Sequence, residues 1–133
     1  MSKILIAEDD AVVREILAAT VESMGHVPLL SPNGRHALET LECDPLVALV
    51  ITDMAMPEMG GRELIEATRG LFASRPRPAP ILIMSGVVAP REIADLLDQG
   101  AEAFLAKPIH LAEFCEYVKR VLPNSKDLEE LAR

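Results

Sequence analysis

Five short apolar runs alternate with five segments of helical period along 133 residues, and this alternation restricts the fold more than any single motif. The runs fall at 3–7, 26–30, 46–52, 80–84 and 103–105. Between the first two, Val13, Ile16, Leu17, Thr20, Val21 and Met24 recur at i, i+3, i+4, i+7 spacing, and Gly25 ends the stripe as a C′ residue. The second helical segment is short, about 34–42, with Ala37, Leu38 and Leu41 inward. The third carries Leu64, Ile65, Thr68, Leu71 and Phe72. The fourth begins near Pro90, turns Ile93, Leu96 and Leu97 inward and closes at Gly100. The fifth carries Leu111, Phe114, Cys115, Val118, Val121 and Leu122 and stops at Pro123.

Strands separated by helices join through right-handed crossovers into a parallel sheet with helices on both faces. The chain is therefore expected to be α/β, a three-layer doubly wound sandwich. Its five parallel strands take the flavodoxin-like order 2-1-3-4-5, with five flanking helices. Residues 1–123 form one domain, and 124–133 read as a tail or the start of a linker. The stretch Arg75-Pro76-Arg77-Pro78-Ala79-Pro80 is a stiff basic surface loop.

A net charge of −8 argues against direct nucleic-acid binding, which depends on Lys and Arg neutralising phosphates. The first apolar stretch is too short for a signal peptide or a membrane span, so a cytoplasmic protein is expected. Cys43 and Cys115 lie far apart in helical segments and read as free thiols.

The chemistry gathers at strand ends. Asp53 closes the apolar run 46–52, and Glu8-Asp9-Asp10 closes the first run. In the expected topology these strands are neighbours, so Glu8, Asp9 and Asp53 converge at one sheet edge. Clustered carboxylates stay ionised only beside a cation, and an all-oxygen set favours Mg²⁺. Asp9 or Asp10 alone could equally cap the first helix. Ser85 after the fourth strand offers a hydroxyl, and Lys107 after the fifth offers a counter-charge beside Pro108, at a Lys-Pro bond that allows a cis peptide. The set suits Mg²⁺ and a phosphoryl group carried on Asp53.

These pieces resemble the receiver domains of bacterial two-component response regulators. The resemblance rests on Ile4-Leu5-Ile6-Ala7-Glu8-Asp9-Asp10, on the run from Ile51 through Asp53 and Pro57 to Gly61, on Ile83-Met84-Ser85-Gly86 and on Ala106-Lys107-Pro108. It implies a phosphorelay protein whose Asp53 accepts phosphate from a histidine kinase or a histidine phosphotransfer protein. Asp9 would bind Mg²⁺ directly, Glu8 mainly through water, and the Ala55 backbone carbonyl would complete the protein ligands. Ser85 would hydrogen-bond the phosphoryl group and Lys107 would pair with it. Phe104 matches the aromatic whose rotamer accompanies switching, although the usual Tyr hydroxyl is missing. Gly60 replaces a common Asp, which bears on loop stiffness, and His110 stands where Asp or Ser often caps the fifth helix.

Such a domain is not an enzyme acting on external substrates; it promotes only its own phosphorylation and dephosphorylation. Phosphorylation would reshape the helix 4–strand 5–helix 5 face to control a downstream protein or output domain, and that face offers a possible homodimer contact. The alternative is a receiver-like binding module that works without phosphorylation. An aspartyl-phosphate hydrolase is disfavoured because Ala55 stands where its general acid would be, and a flavin binder because the first strand–helix loop is acidic.

Overall fold

The computed structural model describes residues 1–76, 78–86 and 90–122. The order is β1 (Lys3–Ala7), α1 (Ala11–Ser23), β2 (Val27–Ser31), α2 (Gly34–Cys43), β3 (Val47–Asp53), α3 (Gly61–Ala73), β4 (Ile81–Ser85), α4 (Pro90–Asp98), β5 (Ala103–Ala106) and α5 (Leu111–Val121). All four pairings are parallel, and the strand order is β2-β1-β3-β4-β5. The expected tail beyond Pro123 lies outside the described residues, as does Arg77 of the basic loop.

Each central strand divides its residues between two cores, as the period-two geometry of a strand requires. Ile4, Ile6, Leu49, Ile51, Leu82 and Met84 face Leu17 and Val21 of α1 and Phe114, Tyr117 and Val118 of α5. Leu5, Ala7, Val50, Ile81 and Ile83 face Ala37 and Leu41 of α2, Leu64 and Ile65 of α3 and Leu96 of α4. Burying a Leu, Ile or Phe side chain fully is worth roughly 1.5–3 kcal/mol, so the two faces hold the sheet together.

Helices α1 and α4 end alike. Gly25 has φ +88° and its N–H donates to the Glu22 carbonyl, while the His26 N–H reaches back to Val21. Gly100 has φ +121° and repeats the pattern, with its own N–H on Leu97 and the Ala101 N–H on Leu96. Only glycine adopts that backbone cheaply, so these two residues set where β2 and β5 begin.

Several expected inward residues face solvent. Leu97, Ile16 and Leu111 are exposed, because the helices touch the sheet along a narrower stripe than their periodicity suggests. Leu46 is 71% exposed and is not part of β3. Its N–H is taken by the Asp44 carboxylate, which Lys3 also holds, and this turn delays pairing until Val47. His26 and Pro80 likewise precede their strands. Cys43 and Cys115 are free thiols. Among the described residues, no helix is long and apolar enough to cross a membrane.

Candidate functional site

β1 and β3 are hydrogen-bonded neighbours, with Ala7 opposite Thr52, so Glu8 and Asp53 leave the sheet side by side. Glu8, Asp9 and Asp53 bring carboxylate oxygens within 4.8 Å of one another. Asp10 is directed elsewhere: its Oδ1 accepts from the Val12 and Val13 N–H groups and caps α1. The open choice between cap and site is thus resolved, because Asp10 is spent on the helix while Asp9 stays with the cluster.

Lys107 reaches the acids from the loop after β5. Its Nζ donates to Glu8 Oε1 at 2.7 Å and to Asp53 Oδ2 at 3.0 Å. The Lys107–Pro108 peptide is cis, as the Lys-Pro pair allowed. The β3–β4 register sets Asp53 opposite Met84, so Ser85 is the next residue along the same edge, buried and beside the end of β3. The Lys107 N–H donates to the Ser85 carbonyl, which ties the two together.

The Asp53 carboxylate uses both oxygens, Oδ2 for Lys107 and Oδ1 for the Met54 N–H at 2.8 Å. Glu8 is fully buried, and its Oε2 meets no hydrogen-bond donor. Burial pushes its pKa up to about 7, against the pull of the Lys107 ammonium, and the neighbouring Asp53 adds to the rise. For Lys107, burial works to lower the pKa, but the hydrogen bonds to Glu8 and Asp53 outweigh it and hold the ammonium above its usual range. A buried carboxylate oxygen without a donor, in an all-oxygen set, fits a hard divalent cation.

The loop from Met54 to Gly60 is held by its backbone. The Met54 N–H donates to the Met84 carbonyl, and the Gly61 N–H to the Met54 carbonyl. A Cβ at Gly60 would lie 2.8 Å from the Met54 oxygen, so glycine here lets the loop close tightly rather than slacken. Ala55 is exposed in this loop, two residues past Asp53. Phe104 is half-buried on β5, paired with Ile83 and packed on the core shared by α2, α3 and α4. His110 makes no side-chain cap on α5, in line with the departure noted there.

Two contacts had no signal in residue spacing. Arg14 donates to the Glu8 carbonyl at 2.8 Å, one helical turn after the acids. Gly34 of α2 touches the loop after Asp53. A cavity of about 700 Å³ lies at the opposite sheet edge, among Ile65, Phe72, Pro80 and Val121, away from every acid of the cluster.

A doubly wound sheet with acids at two adjacent strand ends and a lysine reaching them from a third is the frame of a signalling receiver. The chain belongs to the response regulator receiver domain family, whose model matches residues 4–119. It is similar to the two-component response regulator ORR11 of Oryza sativa subsp. japonica, 35% identical over 120 residues, covering 90% of this chain and 80% of that one. Its fold is similar to the chemotaxis response regulator CheY4 of Vibrio cholerae, with TM-score 0.80, 26% identity and coverage of 92% and 99%. It is also similar to the receiver domain of a signal transduction histidine kinase from Syntrophus aciditrophicus, with TM-score 0.79, 30% identity and coverage of 95% and 93%. These relatives come from a plant and from bacteria, so family membership by itself assigns no bacterial origin.

Proposed function

We propose that Asp53 accepts a phosphoryl group from a phosphohistidine of a histidine kinase or a histidine phosphotransfer protein, with Mg²⁺ bound beside it. The observation that carries this reading is the Lys107 ammonium bridging Glu8 and Asp53 within an acidic cluster that has one unpaired buried oxygen. Glu8, Asp9, Asp53 and the Ala55 carbonyl are the residues that would hold the ion. When bound, Mg²⁺ neutralises charge on the transferring group.

A carboxylate oxygen of Asp53 forms the new bond to phosphorus as the phosphorus–imidazole bond breaks, and the electron pair stays on the imidazole nitrogen, which is then free to take a proton. Lys107 is already within hydrogen-bond reach of Asp53 and meets the developing phosphoryl charge. Ser85 donates its hydroxyl to the same oxygens. With Ala55 in place of a general acid, the domain turns over no external phosphate ester; it promotes only its own phosphorylation and dephosphorylation.

The added charge then biases a two-state element. Ser85 moves toward the phosphoryl oxygens and Phe104 turns inward, which reshapes the α4–β5–α5 face for a downstream partner, an output domain or a second copy. Incubation with acetyl phosphate and Mg²⁺ is expected to add one phosphoryl group by intact mass, and Asp53→Asn to abolish the addition. Equal uptake by Asp53→Asn would remove Asp53 as acceptor. Addition of beryllofluoride and Mg²⁺ is expected to shift the Ser85 and Phe104 amides; no response would favour a module that works without phosphorylation.

A further inference from the structure

The segment joining β2 to α2 touches both halves of the acidic edge. On one side the Ser31 carbonyl accepts the Glu8 N–H at 3.0 Å. On the other, the Gly34 N–H donates to the Met59 carbonyl at 2.9 Å, in the loop that follows Asp53. Between these contacts the chain is braced. The buried Ser31 hydroxyl meets His36 Nδ1 at 2.8 Å, and Asn33 caps α2 by accepting the His36 N–H at 2.9 Å.

Gly34 is required here for space. It opens α2 with a negative φ, which suits any residue, yet a Cβ on it would lie 2.4 Å from the Met59 oxygen and 2.9 Å from Met59 Cγ. The nearest obstacle is a backbone atom, so rotation of the Met59 side chain gives no relief. The approach also aims the first free N–H of α2 at the loop. The loop's ties to Met84 and to Gly61 lie at its ends, through Met54, and its internal bond runs from the Met59 N–H to the Pro57 carbonyl, so Gly34 is what fastens its middle to α2.

The geometry points to the Ser31–His36 turn as a strut that sets the spacing between Glu8 and the loop carrying Ala55, with Gly34 a positioning residue for the cation site. This rests on the Mg²⁺ reading above. The strut predicts that a disturbance at Gly34 is felt at Glu8, on the neighbouring strand, as well as in the loop it touches.

The test compares Gly34→Ala and Ser31→Ala with Leu38→Ala, which loosens α2 by packing alone. Amide hydrogen exchange at the Glu8 and Gly61 N–H groups is expected to speed up about tenfold in the first two variants, while the Leu82 amide of β4 stays at the wild-type rate. Mg²⁺ titration followed by amide shifts is expected to show affinity weakened roughly tenfold in the same variants and unchanged in Leu38→Ala. Wild-type exchange at Glu8 and Gly61 in a folded Gly34→Ala protein overturns the strut, as does the same selective pattern in Leu38→Ala. Should Gly34→Ala fail to fold, Ser31→Ala decides by the same criteria, since it removes a bond without adding bulk. Should the wild type bind no Mg²⁺, the metal reading fails separately, and exchange alone decides the strut.

Discussion

Glu8 carries a buried carboxylate with one oxygen unpaired, and its pKa sits near 7 even with Lys107 at 2.7 Å. The favourable pull of Lys107 is already included in that balance, so at alkaline pH the ionised side chain works against the metal-free fold. Glu8→Gln keeps the shape and removes the charge, while Lys107 retains Asp53. Without metal at about pH 8, urea unfolding is expected to give a protein more stable by on the order of 1 kcal/mol. With Mg²⁺ bound as proposed, added Mg²⁺ is expected to stabilise the wild type and to stabilise this variant less. A lower unfolding midpoint for Glu8→Gln would mean that the ion pair outweighs desolvation.

At the scale of elements, adjacent acids do different work. Asp10 accepts two N–H groups of α1, whereas Asp9 stands in the cluster. Asp10→Ala is expected to cost about 1 kcal/mol of stability while leaving acetyl-phosphate uptake at the wild-type level, measured by urea unfolding and intact mass. The junction between α1 and β2 carries a pH dependence. His26 is buried, and its Nδ1 accepts the Ser2 N–H at 3.2 Å. Burial, with help from the charged N-terminus, holds its pKa below the usual 6.5. The unfolded chain therefore takes up a proton before the folded one does, so stability is unaffected above 6.5 and falls as the pH drops below it. His26→Asn keeps an acceptor near the Nδ1 position. It is expected to show a smaller loss of urea midpoint between about pH 7.5 and about pH 5.5 than the wild type.

The whole molecule depends on a sheet buried on both faces. Phe114 of α5 is fully buried among Ile4, Ile6, Leu49, Ile51, Leu82 and Met84 and their neighbours, and it anchors the α1–α5 layer. Phe114→Ala is expected to cost about 3–5 kcal/mol, a large share of the roughly 5–15 kcal/mol that holds a domain folded, read as a lowered urea midpoint. The acidic edge sits at one end of this sandwich, and the face proposed to respond lies along α4, β5 and α5. A single five-stranded sheet connects them.

Much of this was legible along the chain, because strands and helices impose periods of two and of 3.6 residues on whatever must be buried. Glu8, Asp53, Ser85 and Lys107 were readable as one site because each directly follows, or ends, an apolar run, and a parallel sheet places all such ends together. The division of labour between Asp9 and Asp10 was not readable, since both are acids one residue apart and only the path into α1 separates them. Leu46 read as core from its apolar run and Leu97 from its helical period, yet an Asx turn and a narrow helix contact leave them in solvent. Nothing in residue spacing marks the approach of Gly34 to Met59, because it joins backbones far apart in sequence. By itself the sequence determined the elements, their order and the chemical types at the strand ends, all of which follow from local periodicity. Only the tertiary structure decided which oxygen is left unpaired, which acid caps a helix and which turn braces the site, because those depend on distances between segments.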